Sequence, residues 1–373
     1  MEQLPENEPA IKSKLPNAPE FICVDAWDSV VTKEDFYQKI LKSTSETIVY
    51  CGQNEWDYYS HNSCPRFKDT LKFLESKGRT YHVITGGYPH PDEPKHNSLK
   101  VYYWIDYYMK KTFNNCTFVS KDMSGSNFPN FDYYKQSLSR TNFNHYFTSL
   151  NYRSHNHRCH LIDLMAKNNL IDNNAISWHH SELPGGHALT YDWKYFEPRQ
   201  LRLSDNFNDA WMRPPIQSFE SFAQVISEST EFVTIFSEKT VMGLICHKPF
   251  LIAGPIGIHS KLKDLNFELY DEIFDYSFDT ETDRETRYQM LLENLVRLQE
   301  ENTLRDLVKL QKKLLPKILH NFENLKKIVF DFSTVPPLMR KLYNIHSFND
   351  IDYNPWSNGI LESLNKVRGD FYK

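Results

Sequence analysis

A short polar cluster, Ser237-Glu238-Lys239-Thr240, interrupts otherwise apolar sequence between Phe222 and Leu298. A carboxylate beside a lysine suits a ribose diol next to a phosphate: the acid accepts hydroxyl hydrogens and the ammonium complements phosphate charge. A second polar run, Asn151-Tyr152-Arg153-Ser154-His155-Asn156-His157-Arg158, joins a strand-like segment to a helical one. Helix N-termini present free N–H groups and partial positive charge, and arginine forks match phosphate oxygens in pairs. A diphosphate is the ligand this combination suits, though Arg153 and Arg158 could equally pair with nearby acids. Between the two runs, Ser227-Glu228-Ser229 ends an apolar segment on an acid. Glu228 reads either as a ribose or base contact or as the cap of the next helix, and Ser237 or Thr240 could also be caps.

These groups act together only if the chain carries them to one place. The order strand, polar loop, helix, strand, Gly-rich turn over 222–257, closing on Phe250-Leu251-Ile252-Ala253-Gly254-Pro255-Ile256-Gly257, is how an open α/β sheet builds a crevice at its strand ends. Upstream, His145–Asn151 and Ala175–Trp178 read as strands with a helix over Cys159–Leu170 between them, and 284–298 reads as a helix. If the sheet is parallel, the turns near residues 155 and 238 share an edge. An earlier alternation has strands at 21–25, 47–52, 80–87 and 116–119, with helices at 67–78 and 99–109.

The expected architecture is therefore α/β, with two Rossmann-like domains facing a cleft and helices at the C-terminus. The boundaries are 1–20 as a flexible lead, 21–142 as an N-terminal acceptor domain and 143–300 as a C-terminal donor domain. Helices in 301–373, interrupted by Pro316 and Pro336-Pro337, are expected to pack back on the first domain. At 373 residues two domains are the prior, and 40% hydrophobic with 14% aromatic residues excludes a disordered chain.

Net charge of −5 gives no global field for nucleic acid, so such a partner needs a local basic patch. Lys68, Lys72, Lys77, Arg79 and Lys95 are modest candidates. The six cysteines show no metal-type spacing, His90 and His96 read as surface residues, and Asp350-Ile351-Asp352 reads as a turn. The first twenty residues carry no apolar signal core and no run is long enough for a membrane span, so a cytoplasmic protein without membrane partners is expected.

The series from the Arg-rich loop through Ser237-Glu238-Lys239-Thr240, Lys248–Gly257, Leu262–Tyr270 and Asp275-Tyr276-Ser277-Phe278-Asp279 resembles glycosyltransferases of bacteriophages and large DNA viruses. More distantly it resembles the donor-binding half of α1,3-fucosyltransferases, which have the two-domain GT-B architecture. The resemblance covers about 143–300. It implies Glu238 as the ribose-binding acid, Lys239 as the phosphate-binding base and Arg158, with Arg153 nearby, as the diphosphate contact. Asp275 and Asp279 match the acidic end of an Asp-x-x-x-Asp element, where Tyr276 departs from the acidic residue expected. Ligand binding and loop fixing both stay open for that pair.

Such an enzyme uses no metal and no cofactor beyond the nucleotide sugar, because lysine, arginine and a helix dipole neutralise the leaving diphosphate. The binding set is then Arg153, His157, Arg158, Glu228, Ser237, Glu238 and Lys239. An inverting transfer also needs a base for the acceptor hydroxyl. Asp57 and Glu55, in the aromatic loop 54–61, are the first candidates, with His61 third and Asp25 and Asp28 equally placed after an earlier strand. A retaining mechanism needs no such base. The acceptor is a glycan or a hydroxymethylated base of viral DNA. The rival reading is a non-catalytic nucleotide- or carbohydrate-binding or virion-associated protein with a degenerate glycosyltransferase fold. The leucine-rich helices after Glu301 are the candidate homo-oligomer surface.

Overall fold

A computed structural model describes residues 21–25, 47–53, 75–77, 80–85, 99–103, 109, 137–151, 154–179, 189–201, 203, 214–231 and 234–334. The chain divides into two compact units, one of Met1–Lys111 with Phe330–Lys373 and one of Thr112–Val329. Each carries a four-stranded sheet in which every pairing is parallel. The α/β class with two Rossmann-like units is thus as expected, and helices follow the second sheet.

In the first unit, β1 (Phe21–Asp25), β2 (Thr47–Gln53), β3 (Thr80–Thr85) and β4 (Leu99–Tyr103) lie side by side in chain order. The helix expected over 99–109 is corrected by β4. Leu99, Val101 and Tyr103 recur with period two, and the β-branched and aromatic residues there favour a pleated strand over a helix. Glu75 and Ser76 are helical, at the end of the segment expected to be a helix. The expected strand at 116–119 lies outside the described residues.

The second unit contains β5 (His145–Asn151), α1 (Asn156–Lys167), β6 (Ala175–Trp178), α2 (Ile216–Glu220), β7 (Ser221–Ser227), α3 (Glu238–Ile245) and β8 (Phe250–Ala253). The sheet order is β6-β5-β7-β8, so the chain steps one way from β5 to β6 and returns past β5 to lay down β7. Right-handed crossovers then place α1 and α3 on opposite faces. Helix α3 packs on the Gln224 and Ile226 face, where a Cβ on Gly243 would lie 2.8 Å from Ile226 Cδ1. Val225 and Ser227 look to the other face. Every residue of β6, β7 and β8 is buried, the continuous burial of a parallel sheet covered on both sides.

Beyond β8 come α4 (Ile258–Asp264), α5 (Arg284–Glu301) and α6 (Leu304–Phe330). Pro316 does not interrupt the last, which runs through it. Pro316 and Lys312 are both exposed, so the Lys312 carbonyl that loses its intrahelical partner can meet water instead. Residues 304–329 belong to the second compact unit. Gln311 Nε2 donates to Ser137 O at 2.9 Å, Lys317 Nζ to Leu269 O at 2.7 Å and Asn321 Nδ2 to Glu268 O at 2.8 Å. Leu314, Ile318, Phe322 and Leu325 are buried along the same face. Trp356–Lys373 lies outside the described residues. No helix among the described residues is long and apolar enough to cross a membrane.

One core residue is chemically unusual. Lys248, at the entry to β8, is 1% exposed, donates from Nζ to Phe219 O at 2.9 Å and lies 5.0 Å from the Phe143 ring centroid. Burial, with Arg140 adding to it and Cys246 opposing it, pushes its pKa down from 10.5 to about 7. The unfolded chain then binds more protons than the folded one between pH 7 and 10.5, so this group makes stability rise with pH across that window. Lys248→Met should flatten that rise and raise stability at pH 7 by on the order of 1–3 kcal/mol. Urea titrations of both proteins at pH 7 and 9.5 check this; a parallel pH dependence would refute the assignment.

Candidate ligand site at the strand-order reversal

The reversal between β5 and β7 is where an open α/β sheet forms a crevice at the carboxyl ends of its strands. The segments leaving those two ends are the polar runs singled out in the sequence. α1 begins at Asn156 with His155 as N-cap, φ −62° and ψ 152°, and the His155 side chain makes no capping bond. From its first turn Arg158 crosses to the end of β7, donating from Nη2 to Ser227 O at 3.3 Å and to Glu228 O at 2.9 Å. His157 Nε2 lies 2.9 Å from the same Glu228 carbonyl, a geometry in which the hydrogen sits on Nε2. His155 stacks on His157 with ring centroids 5.8 Å apart. Burial, followed by the Arg158 charge, drives the His157 pKa well below its ordinary value, so this ring is neutral at pH 7.

Glu228 is fully buried and its carboxylate is spoken for. Oε1 accepts from Ser237 N at 3.2 Å and Thr240 Oγ1 at 2.5 Å, and Oε2 accepts from Ser229 N at 3.2 Å. The acid ties the end of β7 to the start of α3, and its main-chain carbonyl receives the first turn of α1. Gly254 lets the turn after β8 approach: a Cβ there would lie 3.2 Å from Glu228 Cβ. The cap of α3 is Ser237 rather than Glu228, whose carboxylate bonds the turn that leads into the helix.

Ser237 caps α3, accepting from Lys239 N at 3.3 Å. Lys239 Nζ bonds Glu238 Oε1 at 2.5 Å and Ser229 Oγ at 3.1 Å, with side-chain exposures of 17% for Lys239 and 24% for Glu238. Burial opposes ionisation of Glu238, but the charge and hydrogen bond of Lys239 outweigh it, with Arg158 contributing, and the pKa falls below its ordinary value. His157, Arg158, Glu228, Ser237, Glu238 and Lys239 therefore come together at one edge of one sheet. Arg153, Asp57, Glu55 and His61 lie outside the described residues.

Several neighbours were not singled out in the sequence. Glu231 is buried; its Oε2 lies 2.7 Å from Arg284 Nη2, and its Oε1 accepts from Tyr288 OH at 2.9 Å and Arg287 Nη2 at 3.3 Å. This joins the loop after β7 to the first turn of α5. His160 on α1 lies 3.1 Å from Glu285 Oε2 and 3.0 Å from Tyr191 OH. The signal for this network was an acid and two arginines more than fifty residues apart, which local spacing does not reveal.

Asp279 bonds the first turn of α4, and Asp275 bonds within its own loop. Asp279 accepts from His259 N and Ser260 N, each at 3.1 Å, and from His259 Nδ1 at 2.7 Å, while His259 Nε2 accepts from Ile252 N. Asp275 accepts from Ser277 N, and the Tyr276 hydroxyl donates to Phe250 O. Among the described residues no group of three His, Cys, Asp or Glu side chains could hold a metal ion.

Glu228→Ala should leave the donors of Ser229, Ser237 and Thr240 facing a void and cost about 2–4 kcal/mol. Glu228→Gln keeps one acceptor and should cost less than half as much. Chemical denaturation of the two variants against the parent measures the difference, and equal, small losses would mean the carboxylate is not the anchor.

No protein-family model matches the chain. No curated protein matches it either. Among solved structures it is similar to the crystal structure of an α1,3-fucosyltransferase, with a TM-score of 0.38 and 11% sequence identity over 90% of this chain and 93% of that one. At that distance the likeness leaves the functional reading to the geometry of the site.

Proposed function

We propose that this chain is a glycosyltransferase that moves a sugar from a nucleotide-sugar donor to a hydroxyl acceptor, with the donor held at the β5–β7 reversal. The observation that supports this most is convergence. The starts of two helices, α1 and α3, meet at one strand-end crevice together with Arg158, Lys239 and the half-buried Glu238. Two helix N-termini and two cations suit a diphosphate. A carboxylate held ionised beside them suits ribose hydroxyls.

In the transfer, the acceptor oxygen bonds to the anomeric carbon, the bond from that carbon to the diphosphate oxygen breaks, and the acceptor proton passes to a base. Charge builds on the leaving diphosphate, and cations fixed before the reaction stabilise it without reorganisation. Lys239 reaches solvent and would make the direct contact. Arg158 is 2% exposed and bonded to main-chain carbonyls, so it would act as a fixed charge beneath the ligand. Asp57 and Glu55 are proposed for the base. The acceptor would be a glycan or a hydroxymethylated nucleic-acid base.

One observation favours a second reading, a nucleotide- or carbohydrate-binding protein without transfer activity. Lys239 is already matched by Glu238 and Arg158 by backbone carbonyls, so little uncompensated charge faces a leaving group. Slow release of sugar from a donor to water separates the two: a transferase hydrolyses it and a binding module does not.

Calorimetry with UDP, GDP, ADP and CMP should give saturable binding of at least one. Lys239→Ala should weaken it by about 10- to 100-fold, the worth of a charge-assisted bond, with the melting temperature unchanged. Binding of none of the four would sink the proposal, and an unaltered affinity in the variant would displace the site.

A further inference from the structure

A row of polar atoms crosses the end of the second sheet on the face away from α3. Asn151 pairs in register with Trp178, and Ser227 with Ala253. The pairing of Ser149 with Val225, continued two residues, sets Asn151 beside Ser227. Residues paired across a parallel sheet share a face. Trp178, Asn151 and Ser227 therefore stand side by side at the last position of three adjacent strands, with at most 1% exposure each.

Each of the three has a buried polar atom without a hydrogen-bond partner among the described residues: Trp178 Nε1, Asn151 Oδ1 and Ser227 Oγ. Buried polar atoms are nearly always paired, so three orphans in one row call for an occupant. The other limb of the Asn151 carboxamide is fully used. Nδ2 donates to Ser149 Oγ at 3.0 Å and to Ser177 O at 3.3 Å, both of which precede the strand end. Both partners engage Nδ2, so Oδ1, the other limb of the carboxamide, is the atom left over at the end of β5. Arg158 covers the same strand end through the Ser227 carbonyl. The row thus underlies the start of α1, a 12-residue helix whose N-cap residue, His155, makes no side-chain capping bond.

The chemistry of the orphans is selective. An amide oxygen can only accept, so it disfavours a phosphate oxygen and suits an O–H group. A serine hydroxyl both accepts and donates. We infer that Asn151 Oδ1 and Ser227 Oγ form a hydroxyl-reading floor to the crevice, taking an O–H group of the ligand while the cations above take its diphosphate. This deepens the donor-binding reading and rests on it. The hydroxyl comes from the ribose or from the transferred sugar, which have the same bonding chemistry.

Ser227→Ala is the decisive variant, because the hydroxyl it removes has no hydrogen-bond partner among the described residues and its loss should leave the melting temperature unchanged. The probes are inorganic pyrophosphate, the nucleoside diphosphate that binds most tightly, and its sugar conjugate, each titrated into the full chain. The expected result is a five- to tenfold weaker diphosphate or conjugate, about the worth of one neutral hydrogen bond, with pyrophosphate within twofold of the parent. Weakening of both nucleosidic probes assigns the hydroxyl to the ribose, and weakening of the conjugate alone assigns it to the sugar. Asn151→Leu should reproduce the pattern, and its denaturation curve reports any fold damage separately.

Unchanged affinity for all three probes in Ser227→Ala would overturn the inference and give the orphan atoms to buried water. Equal weakening of all three, pyrophosphate included, would overturn it as general distortion. A parent that binds none of the probes removes the donor-binding reading itself.

Discussion

A single fully buried glutamate holds the strand-end edge of the second unit together. Glu228 follows the last residue of β7, and its two ends serve different helices. The carboxylate collects Ser229, Ser237 and Thr240, and the carbonyl collects His157 and Arg158. A buried carboxylate is costly unless its oxygens are satisfied, and here the donors that satisfy it belong to the turn it must position. Geometry and electrostatics are therefore one requirement. The Glu238–Lys239 pair is held at the strand ends because the residue before it, Ser237, is bonded to Glu228.

The strand order makes that arrangement reachable. β5 and β7 are separated in the chain by α1, β6 and α2, yet they pair directly. The loops that leave them are neighbours for that reason alone. Had the sheet grown in one direction, as the first unit's β1-β2-β3-β4 does, the two polar runs would have been two strand widths apart and could not have shared Glu228. α5 adds a third tether through Glu231, which takes Arg284, Arg287 and Tyr288.

Much of this unit was legible from residue order. β5, β6 and the start of α5 fall where residue order placed them; β6 is a short fully buried run, and Asp283 caps α5 by accepting from Thr286 N. The start of α1 was read three residues late, since its cap is a histidine with no side-chain bond to mark it. Pro316 misled because proline disfavours a helix interior without always ending it, and here the freed Lys312 carbonyl lies on the exposed side. β4 was mistaken for a helix because its five residues are too short for one period to exclude the other. Within the site, Ser237-Glu238-Lys239 stood out as polar residues in an apolar stretch. The role of Glu228 did not, because its partners Ser237 and Thr240 lie nine and twelve residues on and meet it only after the turn has folded.

The long helix α6 bears on how the protein can be dissected. Its inner row, Leu307, Leu314, Ile318, Phe322, Leu325 and Val329, is buried, and each such side chain contributes roughly 1.5–3 kcal/mol by leaving water. The smallest autonomous piece that carries the crevice therefore extends to about Val329, the limit of its compact unit. A fragment trimmed at the end of α5 would keep every residue of the crevice, yet bare a greasy flank and be prone to clump.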